Sequence, residues 1–423
     1  MTQKNFHTIV IGGGCLGVAT GVSLARRLGA MRECKICILE KAVLGAGLSS
    51  RQSGIVRAAN SSPAAARLAA ESAKMWKNLP RLWRVSVDWS QAGAIWISPN
   101  AKAGEDQDAW TGLETLMRDA GIEFHAIDHI EAIRLTHGKV RFNSGERCFF
   151  EPEALQLEVS GVLEAMQAAV AANGVELCEH VLVEELLLDS QGAICGVRTN
   201  RGELQCAFVV NAAGGWSADL FSALGLRIPV ALEPVCAANW LVGASELPED
   251  LPIVADYVNM AYFRRWPGSV LHMHQPRHRA PQQIAASFSR SMTNPAGADV
   301  IYEAGNYAVD RQQIQEYERK IRERFPDVRS PLWAGGFVSY FDVTPDLKFI
   351  LGVDDKIPNL FHCLGAGQSL KYAPIFGELI AEAILEGRNR DVDLSEFSIA
   401  RFAGQSLQET LFGDSPNQND NRL

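Results

Sequence analysis

No apolar run in this sequence approaches the roughly 18 uninterrupted residues that a membrane-spanning helix needs, so no span is expected. The opening stretch MTQKNFHTIVIGGGCLGVATGVSLARR is apolar but broken by glycines. It ends in charges without a small-residue cleavage site and does not read as a signal peptide. Positive charge is not in excess either. Forty Lys and Arg face 49 Asp and Glu, a net charge of −9 that argues against nucleic acid as the main partner. The cluster Arg277, His278 and Arg279 reads as solvated loop charge. Nine cysteines, an odd number scattered over the chain, lack the pattern of a disulfide framework and suit reduced thiols in a cytoplasm. Cys34 and Cys37 form a CxxC, but CKICILE reads as a strand, where residues three apart point to opposite faces, and no second CxxC joins it. HExxH, GxSxG and P-loop strings are missing, as is any internal repeat. The HMH at 272–274 puts two rings on one strand face without an obvious third ligand, so no metal is expected.

What is present points to an ordinary globular chain of 423 residues, 47% hydrophobic and 21% charged, long enough for two or three domain-sized units. A β-branched run over 7–11, helical spacing over 15–28 stopped by Gly29, and a second strand over 35–40 give β-α-β order and a parallel pair. An alanine-rich amphipathic helix is expected over 63–84, a strand at GAIWIS and a helix near 108–120. Another helix over 162–173 leads into an antiparallel meander with turns at SQG and NRG. Residues 228–300 read as strand-rich with a loop PRHRAPQQ. A charged helix at 309–325 follows, then the runs FVSYFDVTPDLKFILG and NLFHCLGAG. The last helix is expected over 374–386, announced by Pro374 and stopped by Gly387, and the tail GDSPNQNDNRL reads as disordered.

Gly12, Gly14 and Gly17 spell GxGxxG between the first strand and the first helix, with Cys15 and Leu16 inside the motif. The first glycine permits a tight turn, the second admits a pyrophosphate, and the third lets helix and strand pack closely. The helix N-terminus adds free N–H groups and a positive dipole. Glu40, at the end of the second strand and followed by Lys41, stands 23 residues beyond Gly17, where an acceptor for a ribose hydroxyl belongs. A nicotinamide dehydrogenase would continue with alternating β and α units. This chain runs instead into GAGLSSRQSGIVR, a small-residue loop with Ser49, Ser50 and Arg51, and closes much later with the meander. That plan suits FAD, a long cofactor shared among distant segments.

The strings LEKAVLGAGLSSRQSGIVR, FVVNAAGGWS, DVTPDLKFILG and LGAGQSLKYAPIFGELIAEAI closely resemble the D-amino acid oxidase superfamily, nearest to sarcosine oxidase, glycine oxidase and the sarcosine oxidase beta subunit. The likeness is strongest over 333–387, good over 7–60 and 174–225, and thin over 91–150 and 272–310. It implies an α/β fold, a Rossmann-like FAD-binding domain with an interleaved antiparallel-sheet substrate domain. The first would draw on 1–90, 151–227 and 333–410, the second on 91–150 and 228–332, with 411–423 as tail.

The resemblance also implies roles. Val183 would contact adenine through its backbone, and Gly214, with Trp216 nearby, would lie by the pyrophosphate. Arg57, in GIVR, and Lys371, four residues after Gly367, would bind a substrate carboxylate. Gly365, Gly367, Gln368, Ser369 and Leu370 would border the flavin, the amides from Gly367 to Leu370 facing its pyrimidine end where negative charge develops on reduction. Tyr257, Tyr262 and Arg264 fall in the strand region that roofs the substrate. The family's oxygen-activating lysine aligns with His272. That residue or His274 would supply positive charge, or both are plain strand histidines. Ser339 stands where monomeric sarcosine oxidase has its flavin-tethering cysteine, so FAD is expected to be non-covalent. The expected activity is FAD-dependent oxidation of an amino acid or N-alkyl amino acid, with oxygen or another electron acceptor. A 2-hydroxy-acid oxidoreductase and a flavin-bearing subunit of a larger complex are the alternatives, and homo- or hetero-oligomeric assembly is left open.

Overall fold

The computed structural model describes residues 5–29, 35–100, 109–222, 226–243, 245–274, 309, 311–389 and 391–403. Cys34, the 277–279 basic cluster, the PRHRAPQQ loop and the 411–423 tail lie outside the described residues. The strand Asn5–Ile11 is buried from Thr8 onward, as befits a near-continuous apolar run covered on both faces. It pairs in parallel with Ile36–Glu40 on one side and Gly202–Asn211 on the other. Glu176–Glu179 extends the sheet beyond Ile36–Glu40, and Leu360–Leu364 pairs with the C-terminal half of Gly202–Asn211, both in parallel. Antiparallel strands complete it: Val183–Leu188 and Ile194–Thr199 beside the first half of Gly202–Asn211, and Ile350–Val353 beside Leu360–Leu364.

The helices Cys15–Leu28 and Ser369–Glu386 pack against each other with little separation. A Cβ on Gly377 would fall 2.5 Å from the Ala19 carbonyl, so only glycine fits at that crossing. At its rim Arg26 and Arg27 reach Glu378 at 2.5 and 3.1 Å. Chain ends about 350 positions apart are thereby joined beside the same sheet.

A second eight-stranded sheet runs from Leu332–Val343 through Ala231–Leu241, Val270–His274, Ala261–Trp266, Ile253–Asp256, Ala94–Pro99 and Glu146–Glu151 to His125–Ile127. Its only parallel neighbours among these are Ala94–Pro99 and Ile253–Asp256. The helix Arg311–Arg324 turns Tyr317 and Ile321 inward, and Arg324 reaches Asp256 and Glu146 at 2.7 and 2.9 Å, fully buried. That charge is compensated on two sides, the condition under which a buried arginine is tolerated. A small third sheet joins Ile55–Val56, Leu155–Leu157 and Trp89–Ser90.

Three elements differ from the sequence reading. The helix expected over 63–84 is two helices, Pro63–Lys77 and Leu79–Leu82, because Pro80 suits a first turn better than an interior. The mixed region contains an unanticipated helix, His129–Leu135, whose Asp128 cap accepts the Glu131 amide. The last helix begins at Ser369 with Pro374 inside it, one turn earlier than expected. Among the described residues no helix is long and apolar enough to cross a membrane.

Candidate active site

A cavity of about 700 Å³, within the roughly 300–1,000 Å³ usual for ligand sites, is lined by residues of both large sheets. At one end lies the glycine turn. Gly12 has φ 109°, and a Cβ there would meet the Ala212 carbonyl oxygen at 2.5 Å; one on Gly17 would meet the Gly12 oxygen at 1.9 Å. Both glycines are demanded by the chain's own packing. Gly14 is different: it borders the cavity, and its Cβ would find only Ser49 Oγ, at 3.1 Å. That opening is a cradle for a ligand backbone and not a protein contact.

Glu40 ends its strand with Oε2 accepting from the Gly13 amide and Oε1 from the Ala42 amide, both at 2.8 Å. The acid is thus held at the lip of the glycine turn. Lys41 Nζ sits 4.8 Å from the centre of the Trp216 ring, and both line the cavity with Gly214 and Val183. Ser49 Oγ accepts the Cys15 amide at 2.9 Å, and Arg51 and Leu16 also face inward. Burial pushes the Cys15 thiol up to about 11, so it stays protonated. Three anticipated residues are not in the lining. Gly17 packs on the Gly12 turn, Ser50 donates to the Gly47 carbonyl, and a Cβ on Gly365 would strike Ser369.

The other end gathers Arg57, Tyr257, Tyr262, His272, His274 and Lys371. Arg57 donates to the Ala59 carbonyl, with its guanidinium 4.9 Å from the Trp96 ring centre and 5.9 Å from that of Tyr262. Lys371 is 4% exposed and so does not face solvent from its helix. Its Nζ lies 4.8 Å from the Tyr372 ring centre. Behind them stands Glu151, wholly buried, accepting from the Ala58 amide and from Trp96 Nε1. Burial raises its carboxyl pKa against the opposing pull of the Ala58 amide, Arg57 and Lys371. Both cations border the same end of the cavity, with this carboxylate buried behind them.

Tyr257 and Tyr262 share a 2.7 Å contact between their hydroxyls, and burial lifts the Tyr262 phenol well above its ordinary value. His272 lies flat on Trp266 and His274 flat on Tyr262, with ring centres 4.4 and 5.0 Å apart. Burial lowers both imidazoles, His274 to about 3, and Arg264 pushes in the same direction. They are neutral rings at neutral pH, which removes the expected positive charge from His272. Arg264 itself lies beneath the lining, donating to the Ser53 carbonyl.

In the C-terminal loop Gly367 has φ 75°, and its amide donates to Asp342 Oδ1 at 2.6 Å; the Gln368 amide is taken by the Gly365 carbonyl at 3.0 Å. This corrects the expectation for that loop. The first two of its four amides fasten the loop itself, leaving those of Ser369 and Leu370 at the helix entrance. Ser339, 2% exposed, borders the cavity. Sequence reasoning missed Glu151, Trp96 and Asp342. Asp342 lies within DVTPDLKFILG, whereas the other two fall in strands without a recognisable string.

A glycine cradle at a helix entrance, an acid at the end of the second strand and a long cleft continuing to a second sheet fit FAD. The DAO family, described as FAD dependent oxidoreductase, matches residues 7–383. The 4-methylaminobutanoate oxidase (formaldehyde-forming) of Paenarthrobacter nicotinovorans is 23% identical over 406 residues, covering 94% of this chain and 46% of that protein. The mitochondrial pyruvate dehydrogenase phosphatase regulatory subunit of Mus musculus is 24% identical over 415 residues, 96% of this chain and 44% of that one. The chain spans about half the length of these curated relatives. Among solved structures, L-proline dehydrogenase from P. horikoshii shares the fold with a TM-score of 0.78 at 18% identity, over 95% of this chain and 98% of that one. With the family match running over most of its length and a cavity built to take the cofactor, the chain belongs to the DAO family of FAD-dependent oxidoreductases.

Proposed function

We propose that this chain oxidises the C–N bond of an amino acid or N-alkyl amino acid. The observation that carries the reading is the pairing of Arg57 and Lys371 at one end of the cavity, both within the field of the buried Glu151. Two cations against one internal carboxylate leave a net positive wall that suits a monoanionic substrate. The glycine turn, Glu40 and the C-terminal loop would hold FAD, which would supply a two-electron acceptor for the hydride leaving the carbon next to nitrogen; the substrate imine would then hydrolyse to a carbonyl compound and an amine.

The protein's part is positioning. Arg57 and Lys371 hold the carboxylate by charge-assisted hydrogen bonds and so fix the C–H that must leave. Tyr257, Tyr262 and the two neutral imidazoles line the cavity beside these cations, with Trp96 packed behind the tyrosines. The like charge of Arg57 and Lys371 disfavours an ammonium beside them and so favours the neutral substrate nitrogen that the reaction requires. Ser339 offers no sulfur for a thioether, which supports a non-covalently held FAD. The formaldehyde-forming relative supports N-methyl amino acids within this class. The scattered thiols suit a reducing compartment such as the cytoplasm.

A second reading is favoured by the regulatory subunit among the relatives: a flavin-bearing chain that does not turn over substrate. The test is anaerobic addition of N-methyl amino acids, amino acids, 2-hydroxy acids and carboxylate-free amines to the yellow holoprotein. Saturable bleaching by the first two groups is expected. Bleaching by 2-hydroxy acids alone would replace the amine reading, and bleaching by none would favour the subunit.

A further inference from the structure

We propose that Cys37, Cys178 and Glu176 form a binding site for one thiophilic divalent cation of the zinc class, on the edge of the cofactor sheet and apart from the catalytic cavity. Among the described residues they are the one group of three whose ligand atoms gather within 4.8 Å of one another. The topology explains the meeting. Ile36–Glu40 and Glu176–Glu179 are adjacent parallel strands, with Cys37 in register with Glu176 and Leu39 with Cys178. Side chains two apart on a strand, and those paired across strands, share a face, so all three project to the same side. Cys34 is the neighbour of Cys37 in the CxxC of the sequence, but the sulfur beside Cys37 in the fold belongs to Cys178, 141 positions away.

The distances fit a metal. Tetrahedral zinc with Zn–S near 2.3 Å and Zn–O near 2.0 Å requires edges of about 3.8 Å between sulfurs and about 3.5 Å between sulfur and oxygen. Here the two Sγ atoms are 3.8 Å apart, and Cys178 Sγ lies 3.7 Å from Glu176 Oε1. A disulfide would need about 2.05 Å, so these are two separate thiols. A carboxylate beside them adds a hard ligand that a redox pair has no use for.

Cys37 is fully buried while Glu176 and Cys178 are half-buried, which leaves a solvent-side approach and a fourth position for water. Two sulfurs select zinc or cadmium over magnesium or calcium. Binding releases two protons as M²⁺ replaces both thiol hydrogens, leaving two thiolates, one carboxylate and the cation, with a net charge of −1. The bound ion would pin the edge strand against the strand that ends in Glu40.

The holoprotein, reduced and desalted, is titrated with cadmium while the ultraviolet charge-transfer band of cadmium–thiolate bonds is recorded. One equivalent per chain is expected. Cys37→Ser and Cys178→Ser should abolish the band, while Cys195→Ser, at an exposed thiol elsewhere, should leave it intact. Glu176→Gln, at the sheet edge and sparing both thiols, should weaken binding by at least about tenfold, the least that losing a metal site's outer partner costs. No band in the parent, or the same titration in Cys178→Ser and Glu176→Gln as in the parent, overturns the site.

Discussion

The indole N–H of Trp76 donates to the Leu370 carbonyl at 3.2 Å, filling the acceptor that Pro374 leaves without its helical donor. In an unbroken helix the residue four positions on would supply that N–H, and proline has none. The proline is thus accommodated inside Ser369–Glu386, and the helix Pro63–Lys77 is fastened to the turn that presents Lys371.

Trp76→Phe keeps an aromatic ring but leaves the carbonyl unpaired, and should cost about 1–3 kcal/mol in urea unfolding. Pro374→Ala restores an amide to the same acceptor, so it should recover part of that loss in the Trp76→Phe background. Equal destabilisation by Trp76→Phe with and without the proline would mean that the indole contributes only packing.

Gly14→Val should empty the protein of flavin while its circular dichroism stays native, because the added atoms enter the cavity and meet no protein wall beyond Ser49. Gly17→Val should instead fail to fold, its Cβ colliding with the Gly12 oxygen at 1.9 Å. From the parent, acid precipitation should release the yellow chromophore into solution, since Ser339 cannot form a thioether. Colour retained in the pellet refutes the non-covalent reading.

His274 makes a prediction about acid. Its folded pKa near 3 lies below the ordinary histidine value of 6.5, so the unfolded chain takes up the proton first as pH falls. Its contribution is complete above 6.5 and declines toward 3. Between pH 7.5 and 5 the parent should lose at most about 2 kcal/mol through this group, less whatever cavity water screens. His274→Phe preserves the stack on Tyr262 and should show a smaller acid loss in urea unfolding at the two pH values. An identical loss in parent and variant would show that the imidazole is solvated enough to titrate normally.

The N-terminal half of the cofactor site was legible because it is local: a strand, three glycines and a helix lie within one short segment, and Glu40 follows at a fixed spacing. Arg57 and Lys371 were legible only through motif likeness, since nothing in their own neighbourhoods says that residues so far apart share a cavity. Glu151 and Trp96 were not legible. They sit in paired strands whose alternation shows burial but not which buried group packs behind a cavity residue. The loop amides were misjudged for a related reason. Asp342, 25 residues earlier, takes the Gly367 N–H, and only the fold brings the two together. Likewise Pro374 reads as a helix start until Trp76 is found at the open carbonyl.

If Arg57 and Lys371 hold one carboxylate, Arg57→Ala and Lys371→Ala should each raise the substrate dissociation constant roughly 10- to 150-fold, the equivalent of about 1.5–3 kcal/mol per charge-assisted bond. Flavin content should stay near normal, since neither is needed for the glycine turn. The double variant should lose less than the sum, because both act on one group. Lys371→Arg should recover only part. The site is 4% exposed, and a planar fork does not replace a compact ammonium in so closed a place. Glu151→Gln separates this account from a merely structural one. It removes the charge that both cations feel while keeping an acceptor for the Ala58 amide. An anionic substrate should then bind more tightly, whereas a carboxylate-free amine should gain nothing. The measurement is anaerobic flavin reduction against substrate concentration for each variant. Unchanged saturation in both single alanine variants would remove the carboxylate clamp, and the amino-acid substrate class would have to be abandoned with it.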